Sequence, residues 1–391
     1  MRKPTICLWL GIVVLLATMR AKSQSLDSSA TQPAAGTTPL IAPDGRVTFK
    51  LYMPNARAVT VGGEFALDKV TMNSDGAGLW SATVGPLRPD LYSYYFTVDG
   101  VDMPDPSNTL PKAGVLWFAS QFLVPGRQAD FFAARDVPHG QVHELWYTSE
   151  ALGEVRRVFV YTPPGYGIDP DQRYPVLYLL HGYGDDESAW TAAGKANFIM
   201  DNLLAAGKTR PAVIVMPFGH PSRQWVINMG RPRARGGKLL LGVDAFALEK
   251  MQTELLDSVI PLIEKNFHVR EDAAGRAIAG LSMGGYQALN IGLNNPSEFA
   301  YVAGFSSALL GDNKTTFGAA LANADPIKSR LKLLWMGIGD KDSLLDGNQQ
   351  FDAMLSAAGI KHEFVVTPGY AHSWTLWRVY LRDVLPRLFV Q

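Results

Sequence analysis

Residues Arg276 to Gly292 read RAIAGLSMGGYQALNIG, with Gly280-Leu281-Ser282-Met283-Gly284 at the centre. An apolar run (Ala277, Ile278, Ala279) meets a sharp turn at Ser282, and a helical pattern (Tyr286, Leu289, Ile291, Leu293) begins at once. In that strand-turn-helix setting G-x-S-x-G is a nucleophile elbow, and Ser282 is the candidate nucleophile. The glycines have a mechanical reason: the serine takes a strained backbone conformation, and side chains two positions before or after it would collide where strand and helix meet. With 37 glycines in 391 residues and serine at roughly 6%, the pentapeptide arises by chance about 0.2 times in such a chain. Its place between a strand and a helix is what carries meaning.

Working outward, apolar runs at PVLYLLHG, PAVIVMPF, RAIAGLS, YVAGFSS, KLLWMGIG and HEFVVTP alternate with helical patterns near Asn197 to Ala206, Asp244 to Asn266, Gly284 to Leu293, Gly347 to Ala358 and Trp374 to Phe389. Near-continuous apolar strands alternating with helices predict a mostly parallel sheet covered on both faces. With the elbow on the central strand, this is the order of an α/β-hydrolase domain, expected over residues 142–391 and opened by two alternating strands, VHELWYTSE and EVRRVFVYTP.

Residues 40–126 read differently. VTFKLYM, AVTVGGEF, GLWSATV, LYSYYFTVDG and VLWFASQFLV are short alternating segments split by turns, which predicts a small antiparallel sandwich. Residues 127–141, around Pro138, read as a linker, and residues 24–39, rich in Ser, Thr, Gln, Ala, Pro and Gly, as a flexible tether. Residues 1–23 have the form of a secretory signal: Arg2 and Lys3, an apolar segment from Ile6 to Ala17, then Ala21-Lys22-Ser23 as a small-x-small cleavage site. The apolar run falls short of the ~18 residues of a spanning helix, so no stable membrane anchor is expected after cleavage, and the chain is expected to be secreted or periplasmic. The one cysteine, Cys7, lies inside this segment, so no disulfide is expected. Lys plus Arg equals Asp plus Glu at 36 each, which gives no field to hold a polyanion and excludes nucleic acid as an expected partner.

A nucleophilic serine needs a base, and this fold supplies its groups in the order Ser, Asp or Glu, His. Only His362 and His372 follow Ser282. His362 begins an alternating strand, whereas His372, in TPGYAHSW, lies just after it at a carboxyl strand end, and is the candidate base. The acid must also stand at such an end. Asp340 and Asp342 both follow KLLWMGIG, and the residues alone leave the two open. The oxyanion donors are expected to be the backbone N–H of Met283, at the start of the elbow helix, and that of Tyr183 after PVLYLLHG, with Gly182 as runner-up.

From about Tyr174 to Phe389 the chain resembles the feruloyl and acetyl-xylan esterases of carbohydrate esterase family one, which include enterochelin-esterase-like proteins. The matching stretches are YLLHGYGDDESAW, ANFIMDNLLAAGK, IAGLSMGGYQALNIGL, GDKDSL and GYAHSW. The resemblance implies Ser282 as nucleophile, His372 as base, Asp342 rather than Asp340 as the acid, and Tyr183 and Met283 as oxyanion donors. MPNARAVTVGGEF and LYSYYFTVDGVDMPDPSN resemble early-set immunoglobulin-like modules related to glycogen-binding carbohydrate modules. That implies a polysaccharide contact through aromatics such as Trp80, Tyr92, Tyr94 or Trp117, while alternating aromatics in strands ordinarily fill a core.

The expected function is therefore hydrolysis of a small ester or a feruloylated or acetylated oligosaccharide through an acyl-enzyme. Alternatives are an acetyl-xylan esterase, an enterochelin-type trilactone esterase, and a non-catalytic carbohydrate-binding protein on a hydrolase fold. No cofactor or metal is expected: H-E-x-x-H, the phosphate loop and the dinucleotide fingerprint are all absent. Trp190, Trp225, Trp374 and Trp377 are expected to border the cleft, no more than two of them as substrate contacts. Arg223, Arg231, Arg233 and Arg235, between Phe218 and Gly242, would favour an anionic substrate if they face it.

Overall fold

A computed structural model describes residues 38–230 and 247–390. The signal segment, most of the tether, and Arg231, Arg233 and Arg235 lie outside the described residues.

The larger sheet has eight strands in the order Gln141–Ser149, Glu154–Thr162, Val213–Pro217, Val176–Leu180, Arg276–Leu281, Tyr301–Phe305, Leu333–Gly339 and Glu363–Thr367. The first two pair antiparallel, the second runs antiparallel to the third, and the remaining six are parallel. Strands Val176–Leu180, Val213–Pro217, Arg276–Leu281 and Tyr301–Phe305 are buried at every position, because helices cover both faces. One core holds Tyr286, Leu289, Val302 and Phe351. The other, on the opposite face, holds Trp190, Ile199, Phe305, Trp335 and Leu381. The fold is the α/β-hydrolase expected from the sequence.

The amino-terminal strands form two antiparallel sheets. Val47–Tyr52 pairs with Leu79–Val84 in one; Val59–Gly63 and Ala119–Val124 flank Asp90–Val98 in the other. Along Val47–Tyr52 the residues Val47, Phe49 and Leu51 are buried while Lys50 and Tyr52 are exposed, the period-two pattern of a half-buried strand. Those inward residues meet Val61, Tyr94, Phe96 and Phe122 in a third core. The expected linker is docked: residues Arg127–Phe132 form a 3₁₀ helix with Phe132 buried, and Asn202 Nδ2 donates to the carbonyls of Phe131 and Ala133 at 3.1 and 2.9 Å. The expected loop after Phe218 contains a helix, Arg223–Gly230. Among the described residues no helix is long and apolar enough to cross a membrane.

Sandwich and hydrolase sheet are joined by buried polar contacts. Arg378, on helix Trp374–Val384, has a side chain with no solvent access; its guanidinium donates to Asp90 Oδ1 and to the Leu91 carbonyl, each at 2.6 Å, and to Ala193 O at 2.7 Å. Removing one member of such a pair strands the other charge in low dielectric. Arg378→Met is therefore expected to lower stability by about 3–5 kcal/mol in equilibrium urea unfolding. A loss below about 1 kcal/mol, the scale of an exposed ion pair, would show that this contact does not fasten the two sheets.

Candidate active site

Ser282 sits between strand Arg276–Leu281 and helix Met283–Asn294 with φ 53° and ψ −117°, a conformation L-residues avoid. Such a residue costs about 1–3 kcal/mol and persists only where its surroundings fix it. Here Ser282 N donates to Phe305 O at 2.8 Å, and Ser282 O accepts from Ala308 N and Tyr286 N at 2.8 and 3.0 Å. The flanking glycines are required by contact. A Cβ on Gly280 would lie 2.3 Å from Gly284 O, and one on Gly284 would lie 2.5 Å from His181 O.

Ser282, His372 and Asp342 form one hydrogen-bonded line. His372 Nε2 lies 3.0 Å from Ser282 Oγ, and His372 Nδ1 lies 2.8 Å from Asp342 Oδ2. The Asp342 side chain is inaccessible to solvent, while that of His372 is 32% exposed at the cleft. Burial alone would raise the Asp342 pKa, but the hydrogen bond and charge of His372 and the Leu344 amide, 3.0 Å from Oδ1, outweigh it and hold the carboxyl below its ordinary value. An ionised Asp342 accepts from Nδ1–H, which assigns the bare Nε2 to the serine hydroxyl. The edge of Trp377, with ring centroids 4.8 Å apart, braces the imidazole. Asp340, the rival acid, accepts instead from Gly369 N at 2.6 Å and shapes the turn that carries His372. His362 is occupied elsewhere, between Ile360 O and Asp352.

The loop after Val176–Leu180 passes beside the serine: a Cβ on Gly182 would stand 3.5 Å from Ser282 Cβ. His181 holds this loop. Gly219 N–H donates to its Nε2 at 2.9 Å, so its proton is on Nδ1, which donates to Gly182 O at 2.8 Å. Neither Tyr183 N nor Met283 N has a protein acceptor among the described residues. Those two amides remain available to a ligand oxygen.

The serine opens into a cleft of 1320 Å³ between the hydrolase and the sandwich. Trp374 and Trp377 line it. Trp190 and Trp225 do not, which corrects the expectation. Trp190 is 1% exposed, with its indole N–H on Leu180 O at 3.0 Å and its ring edge-on to Trp374. Trp225 is half-buried against His220. Arg223 is absent from the lining and pairs with Glu187 at 2.8 Å. The far wall comes from the sandwich: Glu64, Phe65, Leu67, Lys112, Trp117 and Phe118, of which the sequence singles out Trp117 alone. Tyr92 and Tyr94 are core residues, their hydroxyls on Arg88 O and Asp105 Oδ2, and the Trp80 indole bonds Met53 O. Trp117 is the one of the four half-exposed at the cleft. Among the described residues no group of three His, Cys, Asp or Glu is placed to hold a metal.

A strand-elbow-helix serine with this histidine on an eight-stranded sheet defines the molecule as an α/β-hydrolase. The "Putative esterase" family model matches residues 149–388, and the chain belongs to that family. It is 33% identical over 357 residues to the endo-1,4-beta-xylanase/feruloyl esterase of Xylanibacter ruminicola, a match covering 90% of this chain but 46% of that protein, so the chain spans about half of that relative's length. A solved ferulic acid esterase is similar at 27% identity and TM-score 0.53, covering 64% of this chain and 98% of its own. The enterobactin esterase FES of Shigella flexneri, solved in the presence of 2,3-di-hydroxy-N-benzoyl-serine, shares the fold at 20% identity and TM-score 0.64, covering 88% of this chain and 93% of its own.

If His372 and the Leu344 amide hold Asp342 ionised, its contribution to stability is present above the unfolded carboxyl range and is lost as pH falls through its depressed folded value. Asp342→Asn is expected to unfold more easily than the parent at neutral pH, with the gap closing below about pH 4. Urea midpoints measured across that range check this; a gap that does not change with pH would contradict it.

Proposed function

We propose that the chain is a serine carboxylic ester hydrolase acting through an acyl-enzyme, and that its substrate is a hydroxycinnamoyl ester of a plant cell-wall polysaccharide. The observation that carries the chemistry is His372 standing 3.0 Å from Ser282 Oγ and 2.8 Å from Asp342. In this reading His372 takes the hydroxyl proton as Ser282 Oγ attacks the ester carbonyl. The developing oxyanion lies against the Tyr183 and Met283 amides, whose donors act without reorganising. Collapse expels the alcohol, protonated by His372, and water repeats the cycle on the acyl-serine. Asp342 keeps the imidazole in the tautomer that accepts from serine.

The acyl preference draws on the relative named as a xylanase/feruloyl esterase, similar over 90% of this chain. Trp374, Trp377 and Phe65 along the cleft suit a planar aromatic acid, and the volume leaves room for sugar units. In this reading a sugar face would stack on Trp117, the sandwich tryptophan half-exposed at the cleft. A second reading, a catecholate trilactone esterase, is favoured by the extent of the FES fold match, which takes in 88% of the chain. Acetyl-xylan is a third ester of the same class. A non-catalytic carbohydrate-binding role leaves the aligned Ser282, His372 and Asp342 without a purpose. We read residues 1–23 as a cleaved export signal, 40–126 as a module and 142–391 as the hydrolase, which places the activity outside the cytoplasm.

Ser282→Ala is expected to lower turnover of methyl ferulate by at least about 10³-fold with the circular dichroism spectrum unchanged. Undiminished hydrolysis would remove Ser282 from the mechanism. Turnover of methyl ferulate, acetylated xylan and an enterobactin-type trilactone, side by side, is expected to favour the ferulate; a higher specificity constant on the trilactone would select the second reading.

A further inference from the structure

Besides the Arg378 contact, the sandwich touches the hydrolase at two loops that line the cleft with Ser282. On one side stands the loop that carries the Tyr183 amide. Val115 N and Leu116 N of the sandwich both donate to Gly184 O, at 2.8 and 3.2 Å. Gly184 takes φ 84°, and the indole of Trp117 lies so close that a Cβ there would meet its Nε1 at 2.3 Å. The next residue, Asp185, forms an ion pair with Lys112 at 2.5 Å, with 8% and 9% of the two side chains accessible. Burial would lower the Lys112 pKa, but Asp185, with Glu64 and Asp186 adding to it, raises it, so the ammonium is held charged. Tyr183 therefore lies between Gly182, fixed by His181, and two residues gripped by the sandwich.

On the other side stands the loop that carries His372. Helix Trp374–Val384 begins two residues later, and the Ser373 side chain does not cap it. Glu64 supplies that acceptor from the sandwich: its Oε1 accepts from Trp374 N at 2.7 Å, while Oε2 accepts from Ser93 N at 2.7 Å within its own sheet. One carboxylate thus ties the start of the helix behind His372 to a sandwich strand. Charge-assisted bonds to backbone amides at a helix start are short and favoured by the helix dipole.

We propose that the sandwich is a working part of the esterase site: Lys112 and Glu64 are positioning residues, Lys112 fixing the Tyr183 amide through Asp185 and Glu64 fixing the His372 loop through Trp374. This rests on the serine-esterase reading above. Neither side chain needs to touch substrate for this role. Their effect falls on the chemical step for any ester, including one too small to reach the sandwich wall.

The test uses the full chain with p-nitrophenyl acetate. Lys112→Met and Glu64→Ala are each expected to lower kcat about 10- to 100-fold with KM changed less than about 3-fold, the size of effect expected when a reacting group is displaced by about an ångström. Lys112→Met leaves the Asp185 carboxylate buried and unpaired, so Lys112→Met/Asp185→Asn serves where the single variant does not fold; it is expected to fold and to keep the low kcat. A phenylboronic acid, which adds to the serine hydroxyl and sets an oxygen against the amides, is expected to bind the Lys112 variants at least about 10-fold more weakly, with acetate inhibition unchanged. Folded variants with kcat within about 2-fold of the parent, or with only KM for large substrates raised, would overturn the proposal. Parent turnover no faster than that of Ser282→Ala would overturn the serine-esterase reading itself, a result distinguishable from the first.

Discussion

A backbone held where L-residues do not rest is the constraint on which this structure turns. Ser282 at φ 53° brings its hydroxyl to His372 and spends its own amide and carbonyl on the end of the neighbouring strand, at Phe305, and on Ala308 just beyond it. The conformation survives because the strand before it is buried at every residue and the helix after it is nearly so. Strain of about 1–3 kcal/mol is small against that packing, but only if nothing larger than hydrogen stands at Gly280 and Gly284. The two glycines and the buried strand and helix beside them are thus conditions of one turn.

Electrostatics at the site follow from a gradient of burial. Asp342 is inaccessible, His372 is one-third exposed, and the cleft beyond is open to solvent. A carboxylate that has lost its water binds its remaining partners strongly, and for Asp342 these are the imidazole and the Leu344 amide. The histidine, by contrast, keeps access to the cleft on the side where a proton must move. His181 applies the same logic one loop away, with both ring nitrogens spent on backbone groups, so its work is to hold shape.

The parts of this arrangement legible in the sequence are those fixed by local rules. The elbow could be read because its glycines answer a clash within five residues. His372 could be read because chain order left two histidines and only one at a carboxyl strand end. Asp340 and Asp342 could not be separated by pattern, since both follow the same strand; resemblance chose Asp342, and the difference lies in direction, one side chain facing Gly369 N and the other His372. Of the four tryptophans expected to border the cleft, Trp374 and Trp377 line it, and Trp190 does not for a related reason. Trp190 belongs to a four-residue helix, Ala189–Ala192, too short to show a period, so its inward face was invisible. Helices Asn313–Ala322 and Asp325–Arg330 were missed because their apolar positions follow no clear stripe.

What no window of sequence could show is the pairing between the far wall of the cleft and the hydrolase. Glu64 and Trp374 are 310 residues apart, and neither reads as unusual in its own segment. Their pairing exists only once two separately patterned sheets are docked. The docking uses buried charge: Arg378 on Asp90 and Lys112 on Asp185. Replacing such pairs with apolar residues of the same volume often leaves stability unchanged or raises it, so their value here is in direction. An apolar contact would let the sheets slide by fractions of an ångström; an ammonium 2.5 Å from one carboxylate oxygen does not. With that oxygen on the loop of Tyr183 and the Glu64 carboxylate on the start of the His372 helix, the least tolerant contacts between the two sheets lie beside the serine, where misplacement is most costly to an ester-cleaving site.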